Sequence, residues 1–260
     1  MKTNKLLILL PILCLFLSSC LEMEETYNLN TDGSYSVNYN LDMGGLMGLV
    51  AGMLPDSVKD AKEFKAIKDT TVNLGTMPDS LKKNMKAEEL ALLQHTDMRM
   101  QMNLDESLLK IGFKNEGKSI KELDNFLSNF SGVMKKAKVA DLMSKPLGAS
   151  GAKASGSEDN KDMPFASKEF DYVITPNSFE RKIKLEVLAA KKAKDEKVYA
   201  MIKSMDLKMT STIIINLPKP ASSVDNPNAV LSADKKQFKL VINMLEAINN
   251  PAMMNFKVNY

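Results

Sequence analysis

The chain has 260 residues, with 35 basic and 32 acidic side chains, one histidine, two cysteines and no tryptophan. A charge balance this even, with the lysines scattered, excludes the clustered basic footprint of a nucleic-acid binder. So few Cys and His side chains also exclude a disulfide framework, and a structural zinc site of the usual Cys/His kind.

The chain begins MKTNKLLILLPILCLFLSSC. Lys2 and Lys5 form a short positive region, and Leu6 to Leu17 form an apolar core. A spanning helix needs roughly 20 apolar residues, so this segment reads as a targeting signal. The stretch "LSSC" resembles the lipobox of bacterial lipoproteins. In that family the cysteine matching Cys20 is diacylated, the peptide before it (here residues 1–19) is removed, and the new N-terminus is acylated as well. Several acyl chains are what stable anchoring requires, because one alone holds a protein to a membrane only marginally. The resemblance thus implies an exported protein whose membrane contact is a lipid anchor at Cys20. Position 21 is Leu and not the Asp that marks inner-membrane retention in many proteobacteria, which implies the outer membrane or cell surface. Glu22, Glu24 and Glu25 resemble the acidic export tags of surface lipoproteins. Cleavage would leave 241 residues with 33 basic and 32 acidic side chains, and Cys20 as the sole cysteine, its thiol occupied.

"EMEETYNLN" and "SYSVNYNLD" flank the turn "TDG". Tyr35, Val37, Tyr39 and Leu41 alternate with polar residues, so residues 22–42 read as a β-hairpin. "MGGLMGLVAGML" follows. Gly44, Gly48 and Gly52 fall four apart and would line one side of a helix, where glycine permits close approach of a neighbouring backbone. The readings open for this run are a helix packed on a sheet, a mobile loop, and an apolar surface that meets lipid or a partner. "GMLPDSVK" and "GTMPDSLK" echo each other at Gly52 and Gly75. Proline tolerated in a first helical turn and Asp near its positive end explain both as helix starts, leading into "VKDAKEFKAI" and "LKKNMKAEELALL". Two copies do not make a repeat array. "TTVNLG" between them is a short strand or link.

"TDMRMQMNLDESLLKIGFKN" reads as a second hairpin with Met98, Met100, Met102 and Leu104 on one face. Ser119 and Glu122 form a capping box that opens the clearest helix, with Ile120, Leu123, Phe126, Leu127, Phe130 and Met134 as its apolar stripe. Residues 144–164 are small and polar and read as a linker or loop. The chain therefore divides into a signal (1–19), an N-terminal hairpin and helix region (20–143), that segment, and a C-terminal α+β region (165–260). The two regions are either separate or interleaved. Beyond the segment a third hairpin turns at Pro176-Asn177. A helix over roughly Leu188 to Met205 comes next, with Ala189, Ala193, Met201 and Met205 inward. "KMTSTIIINLP", "KQFKLVINML" and "MMNFKVNY" read as strands. The fold class is α+β: antiparallel sheets built from hairpins, with helices packed on one face.

The lipobox, "ETYNLNTDGSYSVNYNLDM" and "NLPKPASSVDNPNAVLSADKKQFKLVINM" together resemble the LppM-type lipoproteins and similar Bacteroidetes lipoproteins. The resemblance implies an envelope domain, lipid or glycolipid binding in some members, and no catalytic residue. The glycine- and methionine-rich insert after the first hairpin departs from the pattern.

No nucleophile elbow, P-loop or dinucleotide fingerprint is present. His95, at the start of a strand, reads as a turn or surface residue. Beside it Met98, Met100 and Met102 offer soft thioethers of the kind that suit Cu(I), but an alternating apolar face is also what any sheet buries. Lys191, Lys192, Lys194 and Lys197 read as a solvated helix face, or as one that lies against anionic headgroups. The expected function is non-catalytic binding of a lipid or glycolipid ligand, or of an envelope protein partner, without cofactor or metal. The expected groove wall is the run carrying Gly44, Gly48 and Gly52. An envelope hydrolase and a structural or assembly component of an outer-membrane complex are the alternatives.

Overall fold

A computed structural model describes residues 21–53, 67–103, 105–139, 168–204 and 207–260. Cys20, the helix expected after Pro55 and the segment 144–164 lie outside these residues. The fold is α+β, built around an open eight-stranded sheet in the order β10-β11-β8-β1-β2-β5-β4-β3. Its strands are β1 (Leu21–Leu29), β2 (Tyr35–Asp42), β3 (Lys68–Asn73), β4 (Thr96–Asn103), β5 (Leu108–Gly117), β8 (Met209–Asn216), β10 (Val230–Leu231) and β11 (Gln237–Asn243). A second, four-stranded sheet runs β6-β7-β12-β9, from Phe170–Thr175, Ser178–Ile183, Phe256–Asn259 and Ser223–Val224.

All three expected hairpins are present: β1–β2, β4–β5 and β6–β7. Gly33 in the first turn has φ +85°, a conformation only glycine adopts without strain. The pair β1–β8 is parallel, from Leu21 opposite Met209 to Asn28 opposite Asn216. Strands from either side of residues 144–164 thus share one sheet, and β1, first in sequence, is central in it.

Period-two alternation sends Tyr27 and Leu29 of β1, Val37 and Tyr39 of β2, and Ile213 and Ile215 of β8 to one buried face. Two different covers close that face. Helix α4 (Ile120–Lys136), which starts after the Ser119 cap, lays Phe126 and Phe130 on Tyr39, at ring centroid distances of 5.9 and 5.8 Å. Across β1 the cover is the small sheet, whose Phe179 meets Tyr27 at 5.1 Å and whose Phe256 meets Phe238 at 4.8 Å. Helices therefore cover only part of the face, and sheet-on-sheet packing closes the rest.

Several boundaries differ from those read in the sequence. Helix α1 (Gly44–Met53) is present. "LKKNMKAEELALL" is not one helix: α2 (Asp79–Lys82) stops after a turn, and α3 (Ala87–Gln94) restarts with Glu89 accepting a bond from the Lys86 N–H. The helix expected over 188–205 is two, α5 (Leu185–Lys194) and α6 (Glu196–Ser204), broken at Asp195. Leu188 is the buried residue of α5, whereas Ala189 and Ala193 are exposed, because packing turns the Leu188 side of the helix inward. "KQFKLVINML" ends as a strand at Asn243, whose side chain caps the short helix α7 (Met244–Ala247).

Candidate functional site

A groove of about 560 Å³ opens between α3, the first turns of α4 and the end of β5. Its floor follows from strand register. Tyr35 opens β2 opposite Gly117, and a Cβ on Gly117 would sit 2.4 Å from the Tyr35 ring, so glycine alone lets the ring lie across the neighbouring strand. The Tyr35 hydroxyl donates to Asn115 Oδ1 at 2.8 Å. Asn115 Nδ2 in turn donates to the His95 carbonyl at 3.0 Å and to Thr96 Oγ1 at 2.9 Å, and Thr96 donates to the Leu92 carbonyl at 2.7 Å. The polar atoms of the floor thus satisfy one another, and Ala91, Leu92 and Phe126 supply its apolar part. Burial, then the Glu122 carboxylate, push the Tyr35 phenol well above its usual range.

Glu88, Glu116, Lys118 and Glu122 form the rim. Glu122 is held in place by the capping box: its Oε2 accepts the Lys118 N–H at 3.0 Å and its Oε1 accepts from Ser119 Oγ at 3.2 Å. Glu116 pairs with Lys114 at 2.8 Å. His95 is exposed at the mouth as the residue that ends α3.

A second polar cluster is buried between the two sheets. Glu25 and Arg181 are 6% and 2% exposed, with Nη1 to Oε2 at 3.5 Å. Tyr27 donates to the same Oε2 at 2.6 Å. The Arg181 Nε and Nη2 donate to the Met254 carbonyl at 3.2 and 3.1 Å, and its guanidinium stacks over the Phe170 ring at 4.3 Å. The Tyr172 hydroxyl lies beside this cluster, buried and without a well-formed hydrogen bond among the described residues. Burial followed by the charge of Glu25 pushes the Tyr27 and Tyr172 phenols up. Glu25 is therefore a core residue. Only Glu22 and Glu24 stand on the solvent face of β1, and the acidic tag read at 22–25 is interrupted by the inward register of β1.

The glycines predicted as a groove wall lie at the other end of β5. A Cβ on Gly44 would come within 2.4 Å of the Ser107 carbonyl, and one on Gly48 within 3.1 Å of Ser107 Oγ. These two glycines bring α1 close to the β4–β5 turn; Gly52 falls in the last turn of the same helix. Met98, Met100 and Met102 are buried at 7%, 9% and 0% exposure. Met102 packs with Leu109, Met43 and Met47. Lys191 pairs with Glu169, and Lys192 bonds Asn249, so this helix face is tied to its neighbours.

None of the groove residues Tyr35, Asn115 and Glu122, nor the pair Glu25–Arg181, was read as a site from the sequence: Tyr35 was read as a strand residue, Glu122 as a helix cap and Glu25 as part of an acidic tag. A signal existed for three of them. Glu25, Asn115 and Arg181 each occupy the inward phase of an otherwise apolar strand alternation, where a polar residue must find a partner.

No family model matches the chain, and no curated protein sequence matches it. Among solved structures, the NMR structure of the folded domain of the Mycobacterium tuberculosis LppM protein is similar. It is 9% identical, the match covers 87% of this chain and 84% of that one, and the TM-score is 0.36.

Proposed function

We propose that the chain is a lipid-anchored envelope protein, held at Cys20 to the outer membrane or cell surface, whose domain binds a small amphipathic molecule without transforming it. The groove carries this reading. Its volume lies in the range of small-molecule sites, and it combines apolar side chains and an internally satisfied polar network in its floor with a charged rim. Tyr35, Asn115 and Thr96 are engaged with one another, which favours binding over catalysis. The lipobox resemblance supports the address. None of the described helices is long and apolar enough to cross a membrane.

Native mass spectrometry of residues 20–260 with Cys20→Ser tests the reading. The expected result is a lipid or glycolipid adduct that is lost on denaturation. Ala91→Trp, at an exposed position that opens onto the groove, should remove the adduct and leave the far-UV circular dichroism intact. A clean apo mass, or an adduct indifferent to Ala91→Trp, refutes the groove. A clean apo mass would also turn attention to a protein partner.

A further inference from the structure

The start of β1 and the most apolar of the described helices lie at one end of the sheet. β1 begins at Leu21, the residue bonded to Cys20, so the expected lipid chains leave directly from a central strand with no tether between them. Glu22 lies opposite Asp42, the last residue of β2, and α1 starts two residues after Asp42. Neighbouring strands lie about 4.8 Å apart, which places the start of α1 within roughly 10 Å of Leu21, the residue bonded to Cys20.

Helix α1 reads GGLMGLVAGM, without one charged or strongly hydrogen-bonding side chain. A helix apolar on every side is buried in protein or in lipid. Gly44 and Gly48 turn one side of it onto Ser107, and Met47 reaches Met102 and Leu109. Leu46 falls on the side opposite the glycines. The same end of the sheet carries Ile67, which enters β3 beside the end of β4 and is 75% exposed, the most exposed large apolar residue described.

We propose that this end of the sheet, with the side of α1 that carries Leu46 and with Ile67, rests on the bilayer that holds the anchor. The inference depends on lipidation of Cys20 as set out above, and it adds an orientation. The strands stand upright on the membrane with the groove at the far end of β5, since β5 runs from Leu108 beside α1 to Gly117 in the groove, about 30 Å at 3.3 Å per residue. A ligand then enters from the aqueous side and not from the leaflet. The acyl chains alone would permit tumbling. The apolar end fixes the pose.

The chain contains no tryptophan, and without residues 1–19 its sole cysteine is Cys20, so both probes are clean. Residues 20–260 carrying Leu46→Trp would be coupled through Cys20 to maleimide-headgroup lipid in phosphatidylcholine vesicles. The control carries Val230→Trp on edge strand β10, an exposed position about 16 Å further along the strands. Coupling should shift the indole emission of the Leu46→Trp variant to the blue, and lipids brominated in the acyl chain should quench it at least about twofold more than that of the Val230→Trp variant. Equal quenching of the two variants overturns the proposal. So does a Leu46→Trp emission already blue before coupling and unchanged after it, which would show that the chain's own residues or a second copy cover α1. The chemical tether makes this outcome independent of acylation in cells. That is read separately, from the mass of the N-terminal peptide, and its absence would remove the anchoring and with it the biological setting of this surface.

Discussion

Replacing Arg181 by Met tests the account of the buried cluster. Methionine keeps most of the side-chain volume but removes the cation. The loss leaves the Met254 carbonyl without the two donors it now has, at 3.2 and 3.1 Å, which costs about 1–3 kcal/mol. It also leaves Glu25, 6% exposed, with the Tyr27 hydroxyl as the hydrogen bond that remains. Breaking a buried pair from one side typically costs about 3–5 kcal/mol, and since the two figures overlap, that range is the expected total. For a domain of this size the melting temperature should fall by roughly 6–20 °C. Urea denaturation followed by circular dichroism would read the loss as a lower midpoint at unchanged slope. The decisive comparison is the double variant Glu25→Leu with Arg181→Met. With no charge left to strand, it should recover most of the stability lost in the single variant. A loss under about 1 kcal/mol for Arg181→Met, or a double variant no better than the single, refutes the reasoning.

All six tyrosines sit in environments that raise their phenols above the ordinary value of 10.0, with burial as the leading cause; Tyr260 is pushed up to about 12. Above pH about 10 the unfolded chain therefore releases tyrosine protons that the folded chain keeps, so stability is whole below that pH and declines as pH rises through it. Absorbance titration at 295 nm should show little tyrosinate in the native protein at pH about 10 and half-ionisation in urea. Gly44→Ala should cost about 1–3 kcal/mol, because its Cβ would meet the Ser107 carbonyl. Gly48→Ala should be neutral or gain up to about 1 kcal/mol, because it meets a hydroxyl that can rotate; urea midpoints separate the two. Ser119→Ala removes the α4 cap and should cost about 1 kcal/mol by the same measurement, with Glu122 losing one of the two bonds that hold it at the groove rim and keeping the Lys118 N–H.

Much of the fold was legible locally. The first hairpin announces itself through clean alternation and an Asp-Gly turn, and α4 through its capping box and stripe, because both signals are carried by residues within a few positions of each other. The helix break at Asp195 was not legible. Sequence periodicity there is shallow, with alanines on several faces, and packing of Leu188 decides the phase. The joining of the small sheet was not legible for a different reason: its hairpin β6–β7 and strand β12 are local, but β12 pairs with both β7 and β9, partners about 75 and 35 positions away, and no local pattern encodes such pairing. The groove was missed because its floor joins the start of β2, the end of α3, the end of β5 and the start of α4.

By itself, then, the sequence carried a resemblance to an export signal and lipobox, and it determined the α+β class and most strands and their inward faces. Those depend on composition and on periods of two and 3.6 residues. The tertiary structure alone decided that β8 pairs parallel to β1 across the whole length of the chain, and that Glu25 meets Arg181 rather than water. It also decided that the glycines of α1 serve contact with the β4–β5 turn while the cavity forms elsewhere. Each of these rests on contacts between residues distant in sequence, whose free energy exists only once the intervening chain has closed its loops.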